Sequence, residues 1–262
     1  MNILDEIIVH KHKEVERCKA SLSTKQLEVS AYFRRQTISL RSFVLDKNRH
    51  GIIAEFKRKS PSKGIINGIA QIGQVVRGYF DAGVSGISIL TDENYFGGSR
   101  EDVMLAREKV RCPILRKEFI VDEYQIIEAK SIGADAILLI AASLTNQQMK
   151  QFCKQAKLLG LDVLLEVHNE EELNQSLDVG ADLIGVNNRD LKTFQVSIDV
   201  SKNLIQKIPK EVAAVSESGI ENPSTIKELK AIGFSGFLIG QSFMQTTDPA
   251  KACLEFINQL KA

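Results

Sequence analysis

One short pattern constrains this chain more than any other. A helix-like stretch ends at a glycine, two or three small or polar residues follow, and an apolar run begins. It occurs at Gly83 before Ile87-Ser88-Ile89-Leu90, at Gly133 before Ala136-Ile137-Leu138-Leu139-Ile140, and at Gly160 before Val163-Leu164-Leu165-Glu166. It returns at Gly180 before Leu183-Ile184-Gly185-Val186 and at Gly233 before Gly236-Phe237-Leu238-Ile239. Glycine is what a helix needs just past its last turn, where the backbone turns left-handed. A run that is apolar almost throughout is what a strand needs when both its faces are covered, as in a parallel sheet. Ile52-Ile53-Ala54-Glu55-Phe56, Pro113-Ile114-Leu115-Arg116-Lys117 and Val212-Ala213-Ala214-Val215-Ser216 complete the set. That makes about eight strands starting roughly 20 to 35 residues apart, with helical periodicity between them, the repeat of parallel βα units. Eight such units in about 210 residues predict an α/β fold, a (β/α)8 TIM barrel. An open doubly wound sheet is the competing architecture, and the lack of a GxGxxG after the first strand counts against its dinucleotide-binding form.

Residues 1–262 read as a single barrel domain, with 49–262 forming the barrel and 1–48 a helical extension. Ile3, Leu4, Ile7 and Ile8 fall at helical spacing, with Lys11, Lys13 and Glu14 beyond them. This predicts an amphipathic helix that covers the barrel mouth. The barrel is expected to fold without the extension, because its core needs only the eight βα units.

Charge and special residues narrow the function. The formal net charge of +1 gives no reason to expect nucleic acid or an anionic membrane as partner. The lysines and arginine between Lys57 and Lys63 are a local cluster, which suits a small anionic ligand. Cys18, Cys112, Cys153 and Cys253 are widely separated with no CxxC, so neither a zinc site nor a disulfide framework is indicated. His10 and His12 point to opposite sides of the first helix, and His50 and His168 stand alone, so no metal site is expected. No apolar run reaches membrane-spanning length, and acidic Asp5 and Glu6 stand where a signal peptide would be basic. A cytoplasmic protein, monomeric or weakly homo-oligomeric and without cofactor, is the expectation.

In a barrel the βα loops all open at the carboxyl ends of the strands, and polar residues there build the site. Reading those ends in turn gives Glu55 and Lys57, Lys117, Glu166, then Asn187-Asn188-Arg189-Asp190, Ser216-Glu217-Ser218-Gly219 and Gly240-Gln241-Ser242. Glu55 and Lys57 are two apart on one strand and so share a face. Two lysines and three glutamates converging on one mouth suit proton transfers near neutral pH. Burial or a neighbouring lysine is expected to lower the pKa of whichever lysine acts as acid. The Ser-Lys-Pro-Gly loop from Ser60 to Gly64, with Gly219 and the Gly240-Gln241-Ser242 turn, offers hydroxyls and backbone amides to a phosphate. Phe96 and Phe119 follow two strands and suit a slot for an aromatic ring, or plain core packing.

With these residues collected, the chain resembles the indole-3-glycerol phosphate synthases. The resemblance runs from the Ile3-Leu4 to Glu14-Val15 helix through Ala54-Glu55-Phe56-Lys57-Arg58-Lys59-Ser60-Pro61-Ser62, Tyr95-Phe96-Gly97-Gly98-Ser99 and Leu115-Arg116-Lys117-Glu118-Phe119. It continues through Leu165-Glu166-Val167, Ile184-Gly185-Val186-Asn187-Asn188-Arg189-Asp190-Leu191, Ser216-Glu217-Ser218-Gly219-Ile220 and Phe237-Leu238-Ile239-Gly240. It implies ring closure, decarboxylation and dehydration of 1-(2-carboxyphenylamino)-1-deoxyribulose 5-phosphate, with no cofactor or metal. By the same resemblance Lys117 is the general acid, Glu166 the general base, and Lys57 holds substrate anions and assists dehydration. Glu55, Asn187, Glu217 and Ser218 orient these groups. Ser60, Gly219, Gly240 and Gln241 take the phosphate, while Phe96, Phe119, Leu138 and Arg189 line the pocket. Glu118 replaces the more usual Asp. The chain ends at Ala262, too early for the second barrel that some members carry, which implies a monofunctional enzyme. A related phosphoribosyl-amine isomerase is the nearest rival, though its chemistry prefers a carboxylate with a Cys or second Asp. A non-catalytic phosphosugar-binding barrel is the rival of another class, and it has no need of the lysines and glutamates.

Overall fold

The computed structural model describes residues 3–261. Eight parallel strands close into a barrel: β1 (Ile52–Phe56), β2 (Gly86–Leu90), β3 (Ile114–Lys117), β4 (Ala136–Ile140), β5 (Asp162–Val167), β6 (Leu183–Asn187), β7 (Ala213–Glu217) and β8 (Gly236–Ile239). Neighbours in sequence are neighbours in the sheet, and β1 closes the ring on β8 through Ile52 opposite Phe237 and Ala54 opposite Ile239. The doubly wound alternative is thereby excluded. Gly83 and Gly133, which end helices ahead of β2 and β4, have φ of +86° and +93°, the left-handed turn that the sequence pattern requires.

The helices run α1 (Ile3–Ser21), α2 (Thr24–Glu28), α3 (Leu40–Leu45), α4 (Ile72–Asp81), α5 (Glu93–Phe96), α6 (Arg100–Lys109) and α7 (Glu123–Ser131). They continue as α8 (Asn146–Leu158), α9 (Glu170–Ser176), α10 (Asp199–Leu204), α11 (Pro223–Ile232), α12 (Gln241–Met244) and α13 (Pro249–Lys261). A short antiparallel ribbon, Lys59–Ser60 with Gly64–Ile65, rises from the end of β1.

Strand alternation divides the core in two. Ile52, Ala54, Phe56, Ile87, Ile89, Val163, Leu165, Ile184 and Val186 face outward into the layer between sheet and helices. Ile53, Leu115, Leu138, Leu164, Leu183, Val215 and Leu238 fill the barrel interior instead. Two residues further along, four of these interior positions turn polar: Glu55 after Ile53, Lys117 after Leu115, Glu166 after Leu164 and Glu217 after Val215. The lower interior is therefore oily and the upper interior ionic.

The amino-terminal segment meets both ends of the barrel. Ile3, Leu4 and Ile7 of α1 line the mouth. Leu40 and Val44 of α3 belong to the interior cluster at the opposite end, and a methyl carbon of Leu40 takes the space beside Gly86 where a side chain would otherwise stand. Ser39 caps α3, accepting from the backbone N–H of Ser42, and Ser39 is itself tied to Asp162 at the start of β5. The extension is thus more than the mouth cover expected from the sequence: α3 packs on the barrel floor, so removing residues up to 48 also uncovers apolar interior. Among the described residues no helix is long and apolar enough to cross a membrane.

Candidate active site

The upper interior opens into a cavity of about 240 Å³ at the carboxyl ends of the strands. Every residue to which the resemblance gives a role lines it: Glu55, Lys57, Ser60, Phe96, Lys117, Phe119, Leu138, Glu166, Asn187, Arg189, Glu217, Ser218, Gly219, Gly240 and Gln241. They come from strands and loops scattered over nearly the whole barrel, and register explains how they meet. Asn187 stands opposite Glu217 across β6 and β7, and Glu166 opposite Gly185 across β5 and β6.

Lys117 is the centre of the arrangement. Its Nζ donates to Glu166 Oε2 at 2.9 Å and to Glu217 Oε2 at 2.8 Å. Burial alone would lower the Lys117 pKa, but the charges of Glu166, Glu217 and Glu55 overcome it and hold the ammonium well above its usual range. This reverses the sequence expectation, which counted burial and a second lysine and not the two carboxylates in direct contact. The second lysine is occupied elsewhere, with Lys57 Nζ donating to Glu55 Oε1 at 2.6 Å.

The two acids around Lys117 differ. Burial pushes Glu217 up, Lys117 offsets part of that, and repulsion from Glu166 and Glu55 adds to it, leaving Glu217 at about 7. Its Oε1 is buried without a hydrogen-bond partner. Glu166 goes the other way: burial opposes its charge, but Lys117 and His168 together hold it well below the usual carboxylate range. Near neutral pH the cluster therefore carries one firm carboxylate and one that titrates.

Two glycines make this packing possible. A Cβ on Gly185 would overlap Glu217 Oε1, and one on Gly240 would fall 2.5 Å from Glu55 Oε1. Missing side chains in the wall are filled by the carboxylates of neighbouring strands. The remaining polar groups are held by the backbone. Asn187 Oδ1 accepts from Arg189 N–H at 3.0 Å, which leaves the amide end of Asn187 free to donate. Ser218 has φ of +65°, uncommon for a residue with a side chain, and Gly219 follows at +75°. The α12 helix starts at Gln241 with Gly240 as its cap, so the unpaired N–H groups of its first turn begin at the cavity. Phe96 and Phe119 stand with ring centroids 5.9 Å apart, tilted by 38°, and form an aromatic wall.

Two buried ionic groups were missed in the sequence. Lys11 is fully buried, with Nζ 2.9 Å from Asp92, 3.0 Å from Glu118 and 3.0 Å from Glu14. Asp92 also caps α5, accepting from Tyr95 N–H at 2.7 Å, and Glu118 accepts from Phe119 N–H at 2.8 Å. Lys11 thus fastens α1 to the two segments that carry Phe96 and Phe119. Glu118 is further held by Thr91, beside the Arg116–Glu128 pair. The second missed group is His168, read as standing alone. It lies between Glu166 and Glu172, and the spacing Glu166-Val167-His168 is the same i, i+2 signal that revealed Glu55 and Lys57. Among the described residues no three His, Cys, Asp or Glu side chains are grouped so as to hold a metal ion.

The family model described as indole-3-glycerol phosphate synthase matches residues 4–256. The indole-3-glycerol phosphate synthase of Bacteroides thetaiotaomicron is 45% identical over 260 residues, covering 99% of each chain. That of Caldanaerobacter subterraneus subsp. tengcongensis is 44% identical over 244 residues, covering 93% of each. Among solved structures, the thiamine phosphate pyrophosphorylase of Pyrococcus furiosus superposes with a TM-score of 0.62 at 14% identity, over 86% of this chain and 100% of that one. This last likeness speaks for the barrel fold alone.

Proposed function

The chain belongs to the indole-3-glycerol phosphate synthase family, and from that premise we propose which side chains of its barrel mouth act as acid, base and anion holders. The enzyme is a carboxy-lyase of tryptophan biosynthesis that takes a phosphorylated small molecule. It converts 1-(2-carboxyphenylamino)-1-deoxyribulose 5-phosphate to indole-3-glycerol phosphate, CO₂ and water.

Lys117 is the general acid. The observation that carries this is its ammonium, which faces the cavity while two carboxylates keep it protonated at any pH where the enzyme works. As the anilino ring carbon bearing the carboxylate attacks the ribulose carbonyl, the new C–C bond pushes an electron pair onto the carbonyl oxygen. Lys117 supplies the proton there. Loss of CO₂ returns the C–C electron pair to the ring and restores its aromaticity. The hydroxyl formed at the former carbonyl carbon then takes a proton from Lys57 and leaves as water, with Glu166 removing the proton that completes the indole. Lys57, paired with Glu55, holds the substrate's anionic groups and assists that departure. Glu55, Asn187, Glu217 and Ser218 orient the lysines and the hydroxyls.

The phosphate is received by Ser60 and by backbone N–H groups at Gly219, Gly240 and Gln241, a use of first-turn donors common at this end of a barrel. The anilino ring stacks along Phe96 and Phe119, with Leu138 beneath it and Arg189 at the rim. Each proton transfer supplies about 10²- to 10⁴-fold. Folding the open ribulose chain into one pose over the ring adds a further entropic advantage.

The direct test is to incubate the protein with the carboxyphenylamino-deoxyribulose phosphate and follow indole fluorescence together with CO₂ release. Both signals are expected in equal amounts. A folded protein that produces neither, or opens the sugar without releasing CO₂, overturns the reading.

A further inference from the structure

Two carboxylates share Lys117, yet the reaction calls for one base. Equivalent acids around one ammonium would divide the charge between them, and each would be protonated part of the time. Something must decide which of them is the base. Sequence position offers no distinction, since Glu166 on β5 and Glu217 on β7 each stand two residues after an interior apolar residue.

The difference lies behind Glu166. His168 follows it by two residues on the same strand, with Nε2 3.3 Å from Glu166 Oε1, close enough for an ion pair though off the line of a good hydrogen bond. The other ring nitrogen, Nδ1, is 3.0 Å from Glu172 Oε2, an oxygen that also accepts the His168 backbone N–H at 2.8 Å. Glu172 Oε1 is held in turn by the side chain of Asn169 at 2.7 Å. The groups run in a line of alternating charge: Glu172, His168, Glu166, Lys117, Glu217. Glu217 ends that line, and its far oxygen has no partner. β4 and β6, which flank β5, carry no ionisable residue, and neither does the turn Ala141–Ser143 that packs on β5 and α9. The charges acting on the ring are those of Glu166 and Glu172.

We propose that His168, backed by Glu172, is the positioning residue that selects Glu166 over Glu217 as the ionised carboxylate beside Lys117. This rests on the reading of Glu166 as the base. Burial opposes the imidazolium, but the two carboxylates outweigh it and raise His168 to about 10, so the ring stays charged through the working range. Without that charge Glu166 and Glu217 become near equals, and the base spends part of its time protonated.

The test compares pH profiles of kcat and kcat/KM for wild type, His168→Asn, Glu172→Gln and Glu166→Gln. For His168→Asn the acidic limb of kcat/KM should move up by at least one pH unit, giving roughly a tenfold loss one unit below its new midpoint that shrinks to threefold or less above it. KM at pH 9 should stay within threefold. Glu172→Gln should shift the limb in the same direction by less. A purely structural role predicts a loss that raising the pH does not rescue, and that result, or an unmoved limb, overturns the proposal. Glu166→Gln separates the two readings. If it is inactive while His168→Asn keeps the wild-type limb, the base stands and the selector falls. If it retains more than a tenth of wild-type turnover, the base assignment fails and the selector falls with it. A nitrogen-detected NMR titration of the wild-type imidazoles guards against a variant that does not fold. The His168 ring must keep both protons at pH 8, and a ring already neutral there rules the proposal out.

Discussion

Two lysines of this protein bury their ammonium groups among carboxylates, and they do opposite things with the same chemistry. Lys11 has no exposed surface and three acids around it, each anchored to a helix or loop. Lys117 keeps 12% of its side chain open to the cavity and has two acids, one of which retains a partnerless oxygen. In the Lys11 cluster the ammonium is shut off from solvent, and its charges serve to hold α1 against the segments bearing Phe96 and Phe119. The Lys117 cluster is left one interaction short, at the Glu217 oxygen packed against Gly185. A buried ion pair is weak evidence of stability in itself. Which role it plays is read from whether its ammonium stays open to the cavity.

Exchanging each lysine for methionine should break the comparison most sharply. Lys117→Met is expected to lower kcat by 10³-fold or more while substrate affinity stays within tenfold, the mark of an interaction made chiefly in the transition state. Its melting temperature should move by no more than about 3 °C, because Glu217, titrating at about 7, can absorb the lost charge by taking a proton. Turnover above a tenth of wild type makes another group the acid. Lys11→Met should give the reverse. Leaving Asp92 without its cation and Glu118 with only Arg116 at 3.8 Å costs about 3–5 kcal/mol, or roughly 10 °C in melting temperature. Below that temperature kcat should fall by less than tenfold. A Lys11→Met protein as stable as wild type would show that its cluster holds nothing.

A smaller effect sharpens the contrast through pH. The pKa of Glu217 rises on folding, so the stability this brings is fully present below the ordinary carboxylate value and is lost as pH climbs through about 7. Glu217→Gln removes that loss and is expected to stabilise the protein by about 1 kcal/mol at pH 8, with no gain near pH 4. Glu118→Gln, the matching change in the closed cluster, should destabilise at both. Denaturant melts at the two pH values separate these outcomes, and a Glu217→Gln protein weaker than wild type at pH 8 contradicts the argument.

How legible each cluster was in the sequence follows from how its members are spaced. Strand residues two apart share a face, so Ile53 and Glu55, Leu115 and Lys117, or Val215 and Glu217 announce an oily floor beneath a charged mouth once the strands are found. Glycines at Gly133 or Gly160 mark where those strands begin. Lys11 had no such signal. It sits among Lys13, Glu14 and Glu16 on a helix, the composition of a solvated face, and its burial depends on Asp92 and Glu118, far away in the chain. The ionisation of Lys117 was misjudged for a related reason. The sequence shows that charged groups share a mouth but not which pairs touch, and contact decides the direction of a shift. His168 was readable and was passed over, because it was weighed as a metal ligand and not as a neighbour of Glu166.

The segment that plugs the floor with Leu40 and Val44 raises a question of timing. It leaves the ribosome ahead of every barrel strand, yet its seat is finished by the last of those strands. Val44 packs beside Gly236 at the start of β8, and β8 must arrive before β1 can find its second neighbour. Contacts this distant in sequence form slowly. Until they form, two apolar side chains upstream of the barrel wait without a partner, and the growing chain depends on them staying clear of other copies. A segment made before any barrel strand is thus seated only after the last of them, and the floor of the barrel is closed from upstream of its own sheet.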